Sequence, residues 1–141
     1  MKKLALLGAF IAALLFSAPA WADVVAHIYL WSQSMTVSVD GVQRYRWPVS
    51  TARFGYVTPV GEYHPIRLER VWYSTIYNNA PMPYAVFFRG GYAIHGTNET
   101  AHIGRRASHG CVRLDTANAA TLFSLVQAHG YGRTSIVISR W

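Results

Sequence analysis

Beyond residue 3 the chain contains no lysine, and among its 141 residues it has one cysteine, Cys111. Every cationic side chain after Lys3 is therefore an arginine, whose planar guanidinium matches carboxylates and phosphates. The arginines are dispersed and form no basic run, which argues against nucleic acid as a partner. A single cysteine cannot form a disulfide within the chain, so it pairs between chains, is buried or reacts.

Long hydrophobic runs are also scarce, and the one that occurs lies at the amino terminus. Lys2 and Lys3 precede the apolar residues 4–16, and Ala20-Trp21-Ala22 offers a small-x-small cleavage pattern. This order is typical of a secretory signal peptide, and the apolar stretch is short for a membrane span. We expect a signal peptide over residues 1–22, with cleavage after Ala20 as an alternative. No later run suffices to span a membrane, so no stable membrane insertion is expected after cleavage.

Residues 23–141 have the length of one domain with a single core. No repeat, low-complexity segment or linker divides them. Loss of the two lysines would lower the formal net charge of +7 by two. The remaining positive charge suits an anionic partner, such as a lipid surface or a cell-wall polymer.

Short apolar stretches separated by turn signals predict a mainly β domain. Asp40-Gly41 and Gly90-Gly91 are hairpin signals, whereas residues 51–65 are rich in glycine and proline and are predicted as loop. One helix is predicted over residues 115–130, with Leu122, Leu125 and Val126 as its apolar stripe, Asp115 or Thr116 as its cap and Gly130 at its end. Strands are predicted at residues 24–31, 35–39, 42–50, 66–74, 84–89, 92–96 and 134–140. Short strands with one helix indicate a β-sandwich or a barrel.

Cys111 lies in the stretch RRASHGCVRLD, residues 105–115. Free cysteines are usually buried, but arginine, histidine and glycine make a poor core segment. Positive neighbours lower the pKa of a thiol, and the thiolate is the nucleophile. The sequence therefore indicates a reactive Cys111 with a lowered pKa.

A cysteine nucleophile needs a general base and donors for an oxyanion. His95 follows the apolar run GGYAI and should lie at a strand end, and the following loop can bring Cys111 beside it. Gly110 permits unusual dihedrals, so the N–H groups of Gly110 and Cys111 are candidate oxyanion donors. His109 is too close to Cys111 to be the first choice as base, and is expected to shape the loop.

A zinc site is the competing interpretation, with His95, His102, His109 and Cys111 as ligands. The segment lacks the His-x-His or Cys-x-x-Cys pairs typical of such sites, and its nearby carboxylates are Glu99 and Asp115. We therefore expect no metal and no other cofactor.

Two stretches resemble one known family. The segment HGTNETAHIGRRASHGCVRL, residues 95–114, resembles the active-site segment of the L,D-transpeptidase catalytic domain, the YkuD-type family of cell-wall enzymes. The segment VSTARFGYVTPVGEYHP, residues 49–65, resembles that family's Ser-Thr and Thr-Pro-x-Gly stretch. The resemblance covers most of residues 23–141, which it implies to be the catalytic domain, and it implies a YkuD-like β-sandwich.

The resemblance also implies roles for single residues. Cys111 matches the nucleophile, and His95 matches the general base, held by a backbone carbonyl that we expect to be that of Gly96. The residues leading into the nucleophile, expected to shape the loop and the oxyanion site, are Ser108, His109 and Gly110. The expected substrate contacts are Arg113, Gly96, Thr97 and Asn98. For Arg113, gripping a substrate carboxylate and pairing within the protein remain open alternatives.

The implied substrate is peptidoglycan, and the implied location is the periplasm or cell envelope. Cys111 would attack the third residue of a tetrapeptide stem, expel D-alanine and pass the acyl group to an amine of a second stem, a 3→3 cross-link in cell wall biogenesis and cell shape. An outer-membrane or periplasmic protein can be the acceptor instead. Tyrosines suited to an acceptor site are Tyr73, Tyr77, Tyr84 and Tyr92. The alternatives are a thiol hydrolase of wall peptides or wall-protein links, and a non-catalytic wall-binding β domain.

Overall fold

The computed structural model describes Leu15 and residues 22–141. The expected signal peptide lies almost wholly outside the described residues and stays a prediction. Two β-sheets and one α-helix form the described part, which confirms the mainly β sandwich with a helix in its C-terminal half. The strands are β1 Val24–Tyr29, β2 Ser34–Val39, β3 Val42–Pro48, β4 Gly61–Tyr63, β5 Arg67–Glu69, β6 Ala85–Arg89, β7 Tyr92–Thr97, β8 Val112–Asp115 and β9 Thr134–Ser139. The helix α1 spans Thr116–His129, and short 3₁₀ turns cover Thr100–His102 and Tyr131–Arg133.

The first sheet has the strand order β3-β2-β1-β9-β4. β2 and β3 form the hairpin predicted from Asp40-Gly41, and both turn residues have positive φ, 51° and 80°. That conformation fits the twist of a two-residue hairpin. β1 then pairs in parallel with β9, so the two ends of the described domain meet in one sheet.

The second sheet has the order β5-β6-β7-β8, and its last pair, β7 with β8, is parallel. Parallel neighbours cannot be joined by a tight turn, because the chain must return to the starting edge. Residues 98–111 make this return. The connection ends at Cys111 and places Arg113 opposite His95 in the register.

The core lies between the sheets and under α1. Alternate residues of β1, Val24, Ala26 and Ile28, are fully buried. The buried helix residues are Ala119, Leu122, Phe123 and Val126, whereas Leu125 is only partly buried. Fully burying an aliphatic or aromatic side chain stabilises a fold by about 1.5–3 kcal/mol.

The helix begins and ends where the sequence predicts. Asp115 rather than Thr116 is the cap, since its Oδ1 accepts a hydrogen bond of 2.9 Å from the Ala117 N–H. Gly130 follows the last turn with φ of +94°.

Three short strands differ from the sequence-based expectation. Residues 51–65 are not all loop, because Gly61–Tyr63 pairs with β9. The strand expected over residues 66–74 is only Arg67–Glu69, and β8, which follows Cys111, was not predicted. Each is three or four residues long, too short for a periodic pattern, and is defined by its partner strand. Among the described residues no helix combines the length and apolarity required to cross a membrane.

Candidate functional site

The candidate site lies on the face of the second sheet that points away from the main core. Side chains alternate across a strand, so Ile94, Val112 and Leu114 enter the core while His95, Cys111 and Arg113 share the opposite face. A small cluster covers that face, and it consists of Met82, Ala85, Phe87 and Ala93 with Trp72 and Cys111 packed against it. The thiol and the imidazole therefore sit in a partly apolar surrounding.

Cys111, His95, His109 and Arg113 line one open pocket of about 280 Å³. Its other lining residues are Ser74, Ile76, Tyr77, Met82, Gly91 and Tyr92. The fold thus brings together the predicted nucleophile and the predicted base, together with one predicted loop residue and one predicted substrate contact.

His95 is buried, with 5% of its surface exposed, and its Nδ1 lies 2.7 Å from the carbonyl oxygen of Gly96. A carbonyl only accepts hydrogen bonds, so Nδ1 carries a proton and Nε2 is free to accept one. Burial lowers the pKa of His95 to about 4, and the charge of Arg113 lowers it further, while the bond to Gly96 opposes both. His95 is therefore a neutral base at neutral pH, and the carbonyl that holds it is the expected one.

The pKa of Cys111 differs from the sequence-based expectation. Burial raises the pKa of the thiol, and this effect exceeds the lowering by the Ala93 N–H and by the charge of Arg113. The thiol lies 3.8 Å from the Gly91 carbonyl oxygen. The prediction of a lowered thiol pKa is wrong because burial of the sulfur outweighs the charge of Arg113. At rest the pocket therefore holds a thiol and a neutral imidazole.

The loop that carries the nucleophile is held by Ser108. This fully buried hydroxyl donates to the Cys111 carbonyl at 2.6 Å and accepts from the Gly110 N–H at 3.0 Å. The Gly110 N–H is thus engaged by Ser108 in this structure, and its expected role as an oxyanion donor stays a prediction. Gly110 is required for another reason, since its φ is +136° and a Cβ there would lie 2.7 Å from the Tyr92 ring.

Residues 50–58, here called the strap, run alongside this loop and fix it. Ser50 exchanges backbone hydrogen bonds with Arg113, and the Thr51 carbonyl accepts from the N–H groups of Ala107 and Ser108. Thr58 donates its hydroxyl to the Gly110 carbonyl at 2.8 Å. Reasoning from single residues missed Thr58. The signal that contained it is the Thr-Pro-x-Gly stretch at residues 58–61.

His109 joins two loops at the rim of the pocket. Its ring stacks on Tyr77, with centroids 4.0 Å apart and planes 7° apart, and meets Tyr56 edge-on at 4.8 Å. Its Nε2 lies 3.2 Å from Arg53 Nη2. Burial, followed by the charges of Arg53 and Arg113, lowers the pKa of His109. This arrangement supports the expected loop-shaping role rather than that of a base.

A second pocket adjoins the first and shares His95 and Arg113 with it. Its other lining residues are Pro81, Pro83, Thr97, Asn98 and Glu99. Arg113 lies 3.9 Å from Glu99, a distance that leaves its guanidinium only loosely paired. Thr97 and Asn98 thus line the same pocket as His95, and their contact with substrate stays a prediction. Gly96 lines neither pocket.

Gly96 has a packing role. A Cβ there would lie 2.9 Å from both Cα and Oγ1 of Thr116, the first helical residue. The strand and helix can approach this closely only because residue 96 has no side chain. The expectation that Gly96 contacts substrate is therefore not supported by its position.

The four tyrosines proposed for an acceptor site divide into two pairs. Tyr77 and Tyr92 line the first pocket. Tyr84 packs on Phe123 of the helix, and Tyr73 is an exposed residue bridged to Pro81. Of the four, only Tyr77 and Tyr92 therefore line the pocket that contains Cys111.

The zinc interpretation has no support in the described part of the chain. Within it, no three His, Cys, Asp or Glu side chains are grouped to hold a metal ion. His102 lies exposed in a 3₁₀ turn and does not line either pocket.

Comparison with known proteins places this arrangement in one family. The model of the YkuD L,D-transpeptidase catalytic domain matches residues 23–138. YkuD of Bacillus subtilis (strain 168) is 26% identical over 103 residues, which are 70% of this chain and 58% of that protein. The chain therefore spans little more than half the length of that relative.

Solved structures show the same fold. An L,D-transpeptidase from Mycobacterium smegmatis superposes with a TM-score of 0.74 at 23% identity, over 84% of this chain and 59% of that one. An L,D-transpeptidase from Mycobacterium tuberculosis H37Rv superposes with a TM-score of 0.72 at 26% identity, over 83% of this chain and 57% of that one. With the family model matching most of its length, the chain belongs to the YkuD family of L,D-transpeptidase catalytic domains.

Proposed function

We propose that this protein is a cell-envelope L,D-transpeptidase that acts on peptidoglycan tetrapeptide stems through a thioester on Cys111. The observation that carries the proposal is that Cys111 and His95 line one pocket while Gly96 holds the His95 ring by Nδ1. Nε2 is thereby left to accept a proton. Membership of the family supports the same chemistry.

In the first step the thiol proton passes to Nε2 of His95 as Sγ attacks the carbonyl carbon of the third stem residue. A C–S bond forms, and the carbonyl electron pair moves onto oxygen. Collapse of this intermediate breaks the bond to D-alanine, whose nitrogen takes the proton back from His95. The neutral resting pair suits this sequence, because no charge has to be buried before the substrate arrives.

In the second step an amine attacks the thioester. His95 accepts the amine proton as the C–N bond forms; the C–S bond then breaks, and Sγ takes that proton from Nε2 and leaves as a thiol. The two adjoining pockets support transfer, since both include His95 and Arg113 and can hold a donor and an acceptor beside one base. Arg113, loosely paired with Glu99, suits a stem carboxylate in either pocket.

Hydrolysis is the second candidate function. The first pocket is open to solvent, so water can reach the thioester when no amine is bound. Positioning a bound amine can contribute roughly 7–11 kcal/mol in favourable cases, which is enough to outcompete water. We therefore favour transfer.

The test supplies a tetrapeptide muropeptide with and without a second stem or a free D-amino acid, in EDTA because no metal is expected. Mass spectrometry follows D-alanine release, a covalent adduct on Cys111 and new amide products. New amides should dominate when an amine is present. Dominant tripeptide at high amine concentration would establish the hydrolase instead, and an inert thiol would leave only a binding domain.

The proposed location rests on the amino-terminal sequence. Lys2, Lys3 and the apolar residues 4–16 support export, and an envelope location would bring the enzyme to peptidoglycan. Expression in a Gram-negative host, cell fractionation and mass analysis should recover a periplasmic chain that begins at Asp23 or at Trp21. A full-length cytoplasmic product would contradict this part of the proposal.

A further inference from the structure

The hydroxyl of Thr58 is fully used by the backbone around the nucleophile. It donates to the Gly110 carbonyl at 2.8 Å and accepts from the Ala52 N–H at 3.0 Å. Thr58 is 4% exposed and lines neither pocket that contains His95. It is therefore placed to act on the loop and not on a substrate.

Because a peptide unit is planar, the hydrogen bond from Thr58 to the Gly110 carbonyl also orients the Cys111 N–H. The Gly110 carbonyl and the Cys111 N–H belong to the same peptide unit and point in opposite directions. A hydrogen bond that fixes the Gly110 oxygen therefore fixes the direction of the Cys111 N–H. Among the described residues that N–H has no hydrogen-bond partner.

The neighbouring peptide units are held as well. Ser108 binds the Gly110 N–H on one side and the Cys111 carbonyl on the other. These bonds leave the Cys111 N–H as the free donor next to the sulfur. If the 110–111 unit were to turn over, it would present a carbonyl oxygen where the N–H now lies, and a developing oxyanion would be repelled.

We propose that Thr58 is a positioning residue that clamps the 110–111 peptide unit so that the Cys111 N–H can stabilise an oxyanion. The inference rests on the proposed role of Cys111 as nucleophile. It predicts that loss of the hydroxyl slows attack on a carbonyl but leaves alkylation of the same sulfur unaffected. Alkylation is a displacement at saturated carbon and develops no oxyanion.

The test uses the single cysteine of the full chain as its own reporter. Second-order rates are measured with p-nitrophenyl acetate, by nitrophenolate release and the acetyl mass on Cys111, and with iodoacetamide. The variants are Thr58→Val, Thr58→Ala and the rescue variant Thr58→Ser. Thr134→Val is the matched control, because Thr134 is buried like Thr58 and its hydroxyl also donates to a glycine carbonyl, that of Gly130, at 2.9 Å.

The ratio of acylation to alkylation should fall at least about tenfold in Thr58→Val and Thr58→Ala, less than the roughly 10²–10³-fold loss when an oxyanion donor is removed outright, because the Cys111 N–H is still present. It should stay near wild type in Thr58→Ser and Thr134→Val. An unchanged ratio in the alanine variant overturns the proposal, as does an equal fall in Thr134→Val. Muropeptide turnover is not part of this test, so failure of the proposed function would show separately, as a wild type that releases no D-alanine.

Discussion

The Nδ1 atom of His95 lies 2.7 Å from the carbonyl oxygen of Gly96, the next residue in the chain. A carbonyl orients the ring as a carboxylate would, but it supplies no full negative charge to stabilise an imidazolium. Because no carboxylate opposes it, burial lowers the pKa of His95 to about 4. The same burial raises the pKa of Cys111, so neither member of the pair is charged before substrate binds.

The first prediction concerns the pH dependence of thiol reactivity. Because burial raises the pKa of Cys111, its alkylation by iodoacetamide should still rise with pH beyond the pKa of an ordinary thiol. Rates between about pH 5 and pH 10 on folded and urea-unfolded protein provide the comparison, with the unfolded thiol as the reference near 8.5. A rate plateau below neutral pH would show a resting thiolate instead.

Replacing the nucleophile should remove the activity without unfolding the protein. Cys111→Ala is expected to lower D-alanine release by at least about 10³-fold, since the remaining groups of a catalytic unit do little without the nucleophile. Circular dichroism and the melting temperature should match wild type, because Cys111 keeps some exposed surface and lines an open pocket instead of the main core. Turnover that persists in the variant would remove Cys111 from the mechanism.

His95→Gln should lower turnover by about 10²–10⁴-fold, the usual contribution of a general base. His109→Gln is the matched control and should cost less, because His109 contacts Arg53 and Tyr77 at the rim of the pocket. Steady-state rates of both variants decide the assignment. The base is wrongly assigned if His109→Gln is inactive while His95→Gln turns over.

His95→Gln should also change how the stability of the fold depends on acid pH. The folded pKa of His95, about 4, is below its ordinary value of 6.5, so protonation favours the unfolded chain. Stability should be lost as the pH falls from about 6.5 towards 4, and His95→Gln should lack this component. The urea midpoints of wild type and His95→Gln across that pH window measure this component. Midpoints that change in parallel for the two proteins would contradict the lowered pKa of His95.

Tyr77 should decide how well water is excluded from the thioester. Its ring stacks on His109 at the rim of the pocket, so Tyr77→Ala opens the site while Tyr77→Phe keeps the stacked ring. The proportion of hydrolysis product at a fixed amine concentration should rise severalfold in the alanine variant, as bound acceptor is held less well. Equal product ratios in the alanine and phenylalanine variants would exclude a covering role for the ring.

An ion pair away from the site gives a prediction on stability alone. Asp23 accepts two hydrogen bonds of 2.6 Å from Arg133, and this partner lowers the pKa of Asp23 to about 2 from an ordinary value of 3.8. The contribution of the Asp23–Arg133 ion pair to the free energy of unfolding is present above pH 3.8 and is lost as the pH falls towards 2. Asp23→Asn should lower the urea midpoint at neutral pH, by an amount that shrinks in acid. A difference that is independent of pH would mean that the carboxylate charge is not the cause.

Local sequence determined the elements whose signal is contained within a few residues. The Asp40-Gly41 turn joins β2 to β3, because both residues tolerate positive φ. The helix runs from its Asp115 cap to Gly130, since capping and termination are local events. Cys111, His95 and Arg113, which the motif of residues 95–114 singles out, line one pocket.

Tertiary structure decided what depends on residues that are distant in the chain. The arginines beside Cys111 in sequence predicted a lowered thiol pKa, but burial of the sulfur outweighs the charge of Arg113 and raises it. The strap contacts the nucleophile loop through Thr58 and Gly110, which are 52 residues apart in the sequence. The short strands β4 and β8 form only because β9 and β7 pair with them. Desolvation and long-range hydrogen bonding are set by which segments meet, and a local pattern of residues does not contain that information.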